Sequence, residues 1–267
     1  MTVQALTPTT FDLSTAPAAP FTRLVAVEVR KMVDTRAGRW LLVCIGLLTA
    51  AALGTMLVVV VAKDLAVSFG DFLAAANVPT GILLPVLGVM SITQEFGQRT
   101  ALVTFAQVPS RMRVCAAKFT AALGLAAAAA VLSLVLAGGA YLAYGALSDA
   151  GAGWHAGVGD LARYVLVQAL GLAGGLAFGA LLLNTAAAIV VVFAVSFVLT
   201  GLFEVGAQTM SWFAHIRPWI DFQYAQGPLT SGGVTAADWA HLAVSAVPWL
   251  VVPLLVGLWR VLRVEVK

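Results

Sequence analysis

Long runs of apolar residues alternate with short polar segments along the chain. Each of six runs is long enough for an α-helix to cross the hydrocarbon core of a bilayer, which takes about 20 residues. The predicted spans are residues 41–62, 72–93, 119–144, 161–183, 186–206 and 236–261. This pattern predicts an all-α integral membrane protein with a six-span transmembrane domain over residues 41–262.

The segment before the first run, residues 21–39, has the spacing of an amphipathic helix. Its apolar positions share one face: Phe21, Val25, Val29, Met32 and Val33. We expect an interfacial helix that turns into the first span at Arg39 and Trp40, residue types typical of a membrane interface. Glu28 lies at the edge of the apolar stripe, where it either pairs with Lys31 or stays solvated.

Composition agrees with a membrane environment. The chain is 61% hydrophobic and only 10% charged, whereas soluble domains carry about 25% charged residues. The pI near 9.1 does not indicate nucleic-acid binding, because the basic residues flank the apolar runs instead of forming one patch.

The basic residues also predict an orientation. Six spans place both termini on one side, and most of the 15 Lys and Arg residues fall on that side. The positive-inside rule makes it the cytoplasm. We therefore expect both termini, a disordered Thr/Pro/Ala-rich tail over residues 1–20 and the segment 94–118 to be cytoplasmic, with an outer loop over residues 207–235.

The cytoplasmic segment 94–118 is longer than a connection needs, since only Asn184 and Thr185 separate the fourth and fifth spans. Thr100 can cap a short helix over residues 101–108, and Pro109 ends it. Leu102 and Phe105 lie on one apolar face of that helix. It either lies on the headgroups, serves as a plain connector, or docks on a cytoplasmic partner.

The exit of the second span reads LLPVLGVMSITQEFGQRTALVTFAQVPSRMRVCAAKF. With the helix before the first span and the near-absent loop between the fourth and fifth, it resembles the permease subunits of type-2 ABC exporters, in their small bacterial form. The resemblance covers residues 21–267. It implies that the segment includes a coupling helix that docks on a separate ATPase, with these residues at or beside the junction: Glu95, Arg99, Thr100, Leu102, Phe105, Pro109 and Arg111.

The same resemblance implies a function and partners. The chain would be the transmembrane subunit of an ATP-driven exporter in the bacterial plasma membrane. It would move an amphipathic drug, antibiotic, peptide or lipid outward by alternating access. Its partners would be two copies of the ATPase, a second permease subunit in a homodimer or heterodimer, and membrane lipid, but no nucleic acid.

Nucleotide chemistry is assigned to the partner. The sequence has no Gly-x-x-x-x-Gly-Lys-Ser/Thr motif, which cradles nucleotide phosphates, so ATP and Mg would bind the ATPase chain. We predict no cofactor on this chain and no catalytic residue, because the spans offer no nucleophile beside a base. His155, His215 and His241 have no metal-site spacing, so no metal site is predicted.

Alternative functions are an ion-coupled secondary transporter and a non-transporting membrane scaffold. Ion-coupled carriers usually hold ionisable residues near the membrane midplane, and these spans have very few.

Several polar and small residues within the spans are candidates for a role. Glu204 and Gln168 either line a translocation path or outer gate, or satisfy local polar needs at the headgroups and between helices. Gly171, Gly175 and Gly179 permit close helix packing, within one subunit or between two.

The predicted orientation can be tested by cysteine labelling. In a chain with Cys44→Ala and Cys115→Ala, we expect Ser231→Cys to react with a membrane-impermeant maleimide in intact cells. Ser14→Cys should react only after permeabilisation. The opposite labelling pattern would overturn the orientation.

Overall fold

The structure, a computed structural model, describes residues 19–98, 110–148 and 157–263, and all regular secondary structure within these ranges is helical. The helices are α1 Phe21–Asp34, α2 Arg36–Ala62, α3 Phe69–Gly97, α4 Arg111–Leu147, α5 Val158–Leu182, α6 Thr185–Thr209, α7 Ser211–Ile220, α8 Phe222–Ser231 and α9 Ala236–Arg263.

Six of these helices, α2 to α6 and α9, are long and apolar enough to cross a membrane. They support a multi-pass membrane protein. Several extend beyond the apolar runs that marked them, because hydropathy detects only the part of a helix suited to lipid. Helix α4 begins at Arg111 instead of residue 119. Ser110 caps this start, because its side chain accepts a hydrogen bond from the Arg113 backbone N–H at 3.4 Å.

The helix predicted over residues 21–39 is divided into two parts. α1 ends at Asp34, and Thr35 adopts an extended backbone conformation. The Thr35 hydroxyl then accepts a hydrogen bond from the Gly38 N–H at 3.1 Å and caps α2. A threonine cap therefore places the corner before the interfacial pair Arg39 and Trp40, not at it.

The apolar stripe of α1 packs against the bundle. Met32 belongs to a buried cluster with residues of α2, α3, α4, α5 and α9, and Val25 and Val29 pack against that cluster. The stripe predicted for a membrane interface is thus covered, at least in part, by the protein itself.

Local signals define the connections around α5, α6 and α9. Leu183, with φ 52°, and Asn184 join α5 to α6, and the Asn184 side chain accepts a hydrogen bond from the Ala187 N–H at 3.0 Å. A capping box begins α9: the Thr235 N–H donates to Asp238 at 2.8 Å and the Thr235 hydroxyl accepts from the Asp238 N–H. Within the predicted loop 207–235 the chain forms α7 and α8.

Helices α3 and α5 make the most extensive contact in the bundle. A Cβ atom at Gly175 would lie 1.9 Å from the carbonyl oxygen of Pro85, and one at Gly179 would lie 3.1 Å from the Cα of Val89. Gly171 also faces Pro85, at ordinary contact distance. The glycine stripe of α5 therefore packs against α3 of the same chain, which is one of the two alternatives that the sequence leaves open.

This contact predicts a strong effect of a single methyl group. Gly175→Ala forces two backbones apart, so we expect a loss of about 1–3 kcal/mol in stability and a lower unfolding midpoint in detergent. Gly124→Ala is the matched control, because no atom of the described residues lies within 4 Å of a Cβ there. Helix propensity favours alanine over glycine by about 1 kcal/mol, so the control should unfold no earlier than the parent. Equal midpoints for the two variants would contradict the packing.

Candidate functional site

Basic residues gather where the ends of α3, α5 and α9 meet the starts of α2, α4 and α6, a region we call the basic end. Arg111 of α4 donates to the backbone carbonyls of Val261 and Leu262 in α9, at 3.3 and 3.0 Å. Arg260 donates to the Leu181 carbonyl at 2.6 Å. These arginines donate to carbonyls in the last turns of two helices, the favourable position for a cation on a helix.

Four side chains from three helices form a charge cluster at the basic end: Glu28 and Lys31 of α1, Glu95 of α3 and Lys118 of α4. Lys31 Nζ lies 2.8 Å from Glu28 Oε1 and 2.7 Å from Glu95 Oε1. Lys118 Nζ lies 2.7 Å from Glu28 Oε2 and 3.0 Å from Glu95 Oε1. Each lysine therefore bridges both carboxylates, and the four charges sum to zero.

The charge cluster is mostly shielded from water. Glu28, Glu95 and Lys118 are 5%, 7% and 6% exposed. Lys118 also donates to the Ser91 carbonyl at 3.5 Å, so all three of its N–H donors have acceptors. Burying an isolated charge is very costly, but paired and hydrogen-bonded charges can be accommodated. The three helices can keep this arrangement only while all three stay together.

Lys31 is the most exposed member of the charge cluster, with 39% of its side chain accessible. Its partial burial acts to lower its pKa. The hydrogen bonds to Glu28 and Glu95 and the charges of those carboxylates outweigh burial, so the pKa lies above its usual value. Lys31 therefore remains charged throughout the neutral range.

The segment 99–109 is attached to the bundle at both ends. Glu95, in the last turn of α3, belongs to the charge cluster. On the other side Arg111 holds α9, and Arg113 donates to the Ala19 carbonyl ahead of α1 at 2.8 Å. The helix ends on both sides of residues 99–109 are thus anchored.

The residues predicted for coupling are only partly covered by the described ranges. Glu95 and Arg111 lie at the basic end, in the contacts given above. Arg99, Thr100, Leu102, Phe105 and Pro109, together with the predicted helix over residues 101–108, lie outside the residues that the structure describes.

Gln168 lies between two helices. It is 1% exposed and donates to the Thr80 hydroxyl at 2.5 Å, and that hydroxyl donates to the Ala76 carbonyl at 3.0 Å. This buried hydrogen bond connects α5 to α3. It agrees with the alternative in which Gln168 satisfies polar needs between helices.

Glu204 lies at the opposite end of the bundle, with 48% of its side chain exposed. It pairs with Arg217 of α7, and Arg217 Nε lies 3.2 Å from Asp221 Oδ2. Asp221 also accepts hydrogen bonds from the Thr200 hydroxyl at 3.2 Å and the Tyr224 N–H at 3.1 Å. The acid therefore takes part in holding α7 against α6.

The charge cluster is not predicted by the sequence pattern. Helical spacing places Glu28 beside Lys31, but it does not connect them to Glu95 or Lys118, which lie 64 and 90 residues away from their partners. One signal was present: Lys118 is a single charge in the otherwise apolar stretch VCAAKFTAAL. A charge in that position needs a partner from another segment.

No protein-family model matches this chain, and no curated protein matches it either.

The charge cluster predicts non-additive mutational effects. Lys118→Met leaves Glu28 and Glu95 sharing one lysine, so we expect a stability loss of about 3–5 kcal/mol, the usual result of breaking a buried pair. The double variant Glu28→Gln, Lys118→Met keeps the pair of Lys31 and Glu95. It should therefore lose less than the sum of its two single changes. The measurement is the free energy of unfolding in detergent.

A more exposed ion pair gives the control for these cluster variants. Arg163 and Asp160 pair at the start of α5 with side chains 23% and 39% exposed, so Arg163→Met should cost at most about 1 kcal/mol. Strictly additive losses in the cluster variants would show that the four charges do not depend on one another.

Proposed function

We propose that this chain is the transmembrane permease subunit of an ATP-driven exporter. In this proposal a separate ATPase, present in two copies, binds the segment 94–118 and provides the energy for transport. The substrate is an amphipathic compound that leaves the cell through alternating inward-open and outward-open arrangements. A second permease subunit completes the pathway in the bacterial plasma membrane, with both termini in the cytoplasm.

The observation that carries the proposal is the double attachment of the segment 99–109. A force applied to a connector between loosely held helices would not move the bundle as a whole. Here the preceding residues are fixed by the charge cluster, and the following residues are fixed by Arg111 and Arg113. A displacement of the segment would therefore be transmitted to α1, α3, α4 and α9 together.

The arrangement of charges supports the same conclusion. The helices that meet at the basic end are joined by ion pairs and by arginine–carbonyl hydrogen bonds, which have discrete partners. Helices fixed in this way would move together, and rigid-body movement is a common form of alternation between two states. Because the sequence lacks a P-loop motif, the energy would come from another chain.

A co-purification experiment tests the proposal. The tagged chain is purified in mild detergent from its native host, and bound proteins are identified by mass spectrometry. We expect an ATPase with the parent chain and its loss in Phe105→Asp. Arg111 is left unchanged because its substitution would also release the end of α9.

Val158→Asp is the matched control for this experiment. Val158 is 84% exposed at the first position of α5, away from the basic end, and an acid near a helix N-terminus is tolerated. This variant should retain the ATPase. If no ATPase accompanies the parent chain, or if Phe105→Asp retains it fully, the coupling assignment is wrong. Transport that stops with a protonophore but persists without ATP would favour an ion-coupled carrier.

A further inference from the structure

A cavity of about 200 Å³ opens between α3, α5, α6, α8 and α9, away from the charge cluster. Its walls combine aromatic side chains with polar ones. Among them are Phe178, Phe203 and Trp249 on the apolar side and Asn77, Gln226 and Thr230 on the polar side. Pockets for small molecules have this character: mostly apolar walls with a few polar groups. Neither Gln168 nor Glu204 is part of the lining.

One polar group in the lining lacks a partner. Asn77 Oδ1 is buried and accepts no hydrogen bond among the described residues. A buried acceptor without a donor costs about 1–3 kcal/mol. The cost is avoided if rotation of the Asn77 amide turns this oxygen toward the cavity, where a ligand can bring a hydroxyl or amine hydrogen to it.

Two other polar groups around the cavity already have partners. Asp221 is occupied by Arg217, Thr200 and the Tyr224 N–H, as described above. Gln226 donates to the Phe222 carbonyl at 3.1 Å and to Gln223 at 2.8 Å. Asn77 differs from them because its buried oxygen has no partner among the described residues, and we expect it to select among ligands.

The backbone around the cavity departs from the regular α-helix in two places. Residues Ala194–Leu199 of α6 and Val247–Val251 of α9 are π-helical, and both stretches contribute to the lining. Such bulges are rare and are frequent at functional sites. Gly174 adds space to the cavity wall, since no atom lies within 4 Å of a Cβ built there.

We propose that this cavity is a binding site for a small amphipathic molecule, a ring-sized apolar body that carries one hydroxyl group. Cavities of about 150 Å³ can hold benzene, so the space here fits a ring with a short substituent. The apolar body would contact Phe178, Phe203 and Trp249, and the hydroxyl would donate to Asn77 Oδ1. The site lies within one chain and does not depend on the proposed ATPase or on a second permease subunit.

The test compares two probes that differ only in the donor, 2-phenylethanol and its methyl ether. The unfolding midpoint of the full chain in detergent is measured with each probe for the parent, Gly174→Leu and Asn77→Leu. Gly174→Leu fills the cavity, and Asn77→Leu removes the acceptor. Comparison at one probe concentration cancels the effect of each probe on the micelle.

We expect the alcohol at saturating concentration to raise the midpoint of the parent by roughly 2–5 °C relative to both variants. The ether should give a much smaller difference. In Asn77→Leu the alcohol and the ether should act alike, because the distinguishing hydrogen bond is gone.

Two results would overturn the proposal. Equal midpoint changes in the parent and in Gly174→Leu would show that the probes do not occupy the cavity. Equal effects of the alcohol and the ether on the parent would show that Asn77 does not select a donor. If Gly174→Leu fails to fold, the comparison of the parent with Asn77→Leu still decides, since loss of an unsatisfied acceptor does not destabilise the fold.

Discussion

Charged groups that leave water must find partners, and this requirement organises the basic end of the protein. Lys118 lies in α4 where a helix of an apolar bundle would otherwise carry a hydrophobic residue. It is accommodated because Glu28 and Glu95 reach it from two other helices, and Lys31 balances the remaining charge. The interaction does more than add stability. It makes the position of α1 depend on α3 and α4, so a helix that could lie free on a membrane becomes part of the bundle.

The basic end and the region around the cavity are built on different principles. Ion pairs and arginine–carbonyl contacts fix the basic end. Near the cavity, glycines, prolines and π-helical stretches leave unfilled space and an unsatisfied amide oxygen. A scaffold that combines a fixed end with a less closely packed region can change shape in one place while keeping its anchoring in another.

The apolar runs were sufficient to predict the six long helices, because each helix depends on residues close together in sequence. The division at Thr35 was missed, since a single threonine cap interrupts a pattern that otherwise continues. The charge cluster was missed because its partners come from three distant segments. The cavity could not be predicted either: apolar wall residues look like lipid-facing residues until the helices are placed.

Helix α3 connects the two regions. Glu95 in its last turn belongs to the charge cluster, and Asn77 near its start lines the cavity, about 27 Å away at the rise of an α-helix. Pro79 and Pro85 lie between Asn77 and Glu95, and each removes a backbone hydrogen bond from the helix interior. At Pro85, the close backbone contact with Gly175 of α5 supports the helical turn that lacks this hydrogen bond. A displacement at the basic end would therefore reach the cavity through α3. This helix bends most easily at its prolines, and at Pro85 it packs against α5. The glycine contact and the charge cluster together make α3 the element through which the two proposed sites can influence each other.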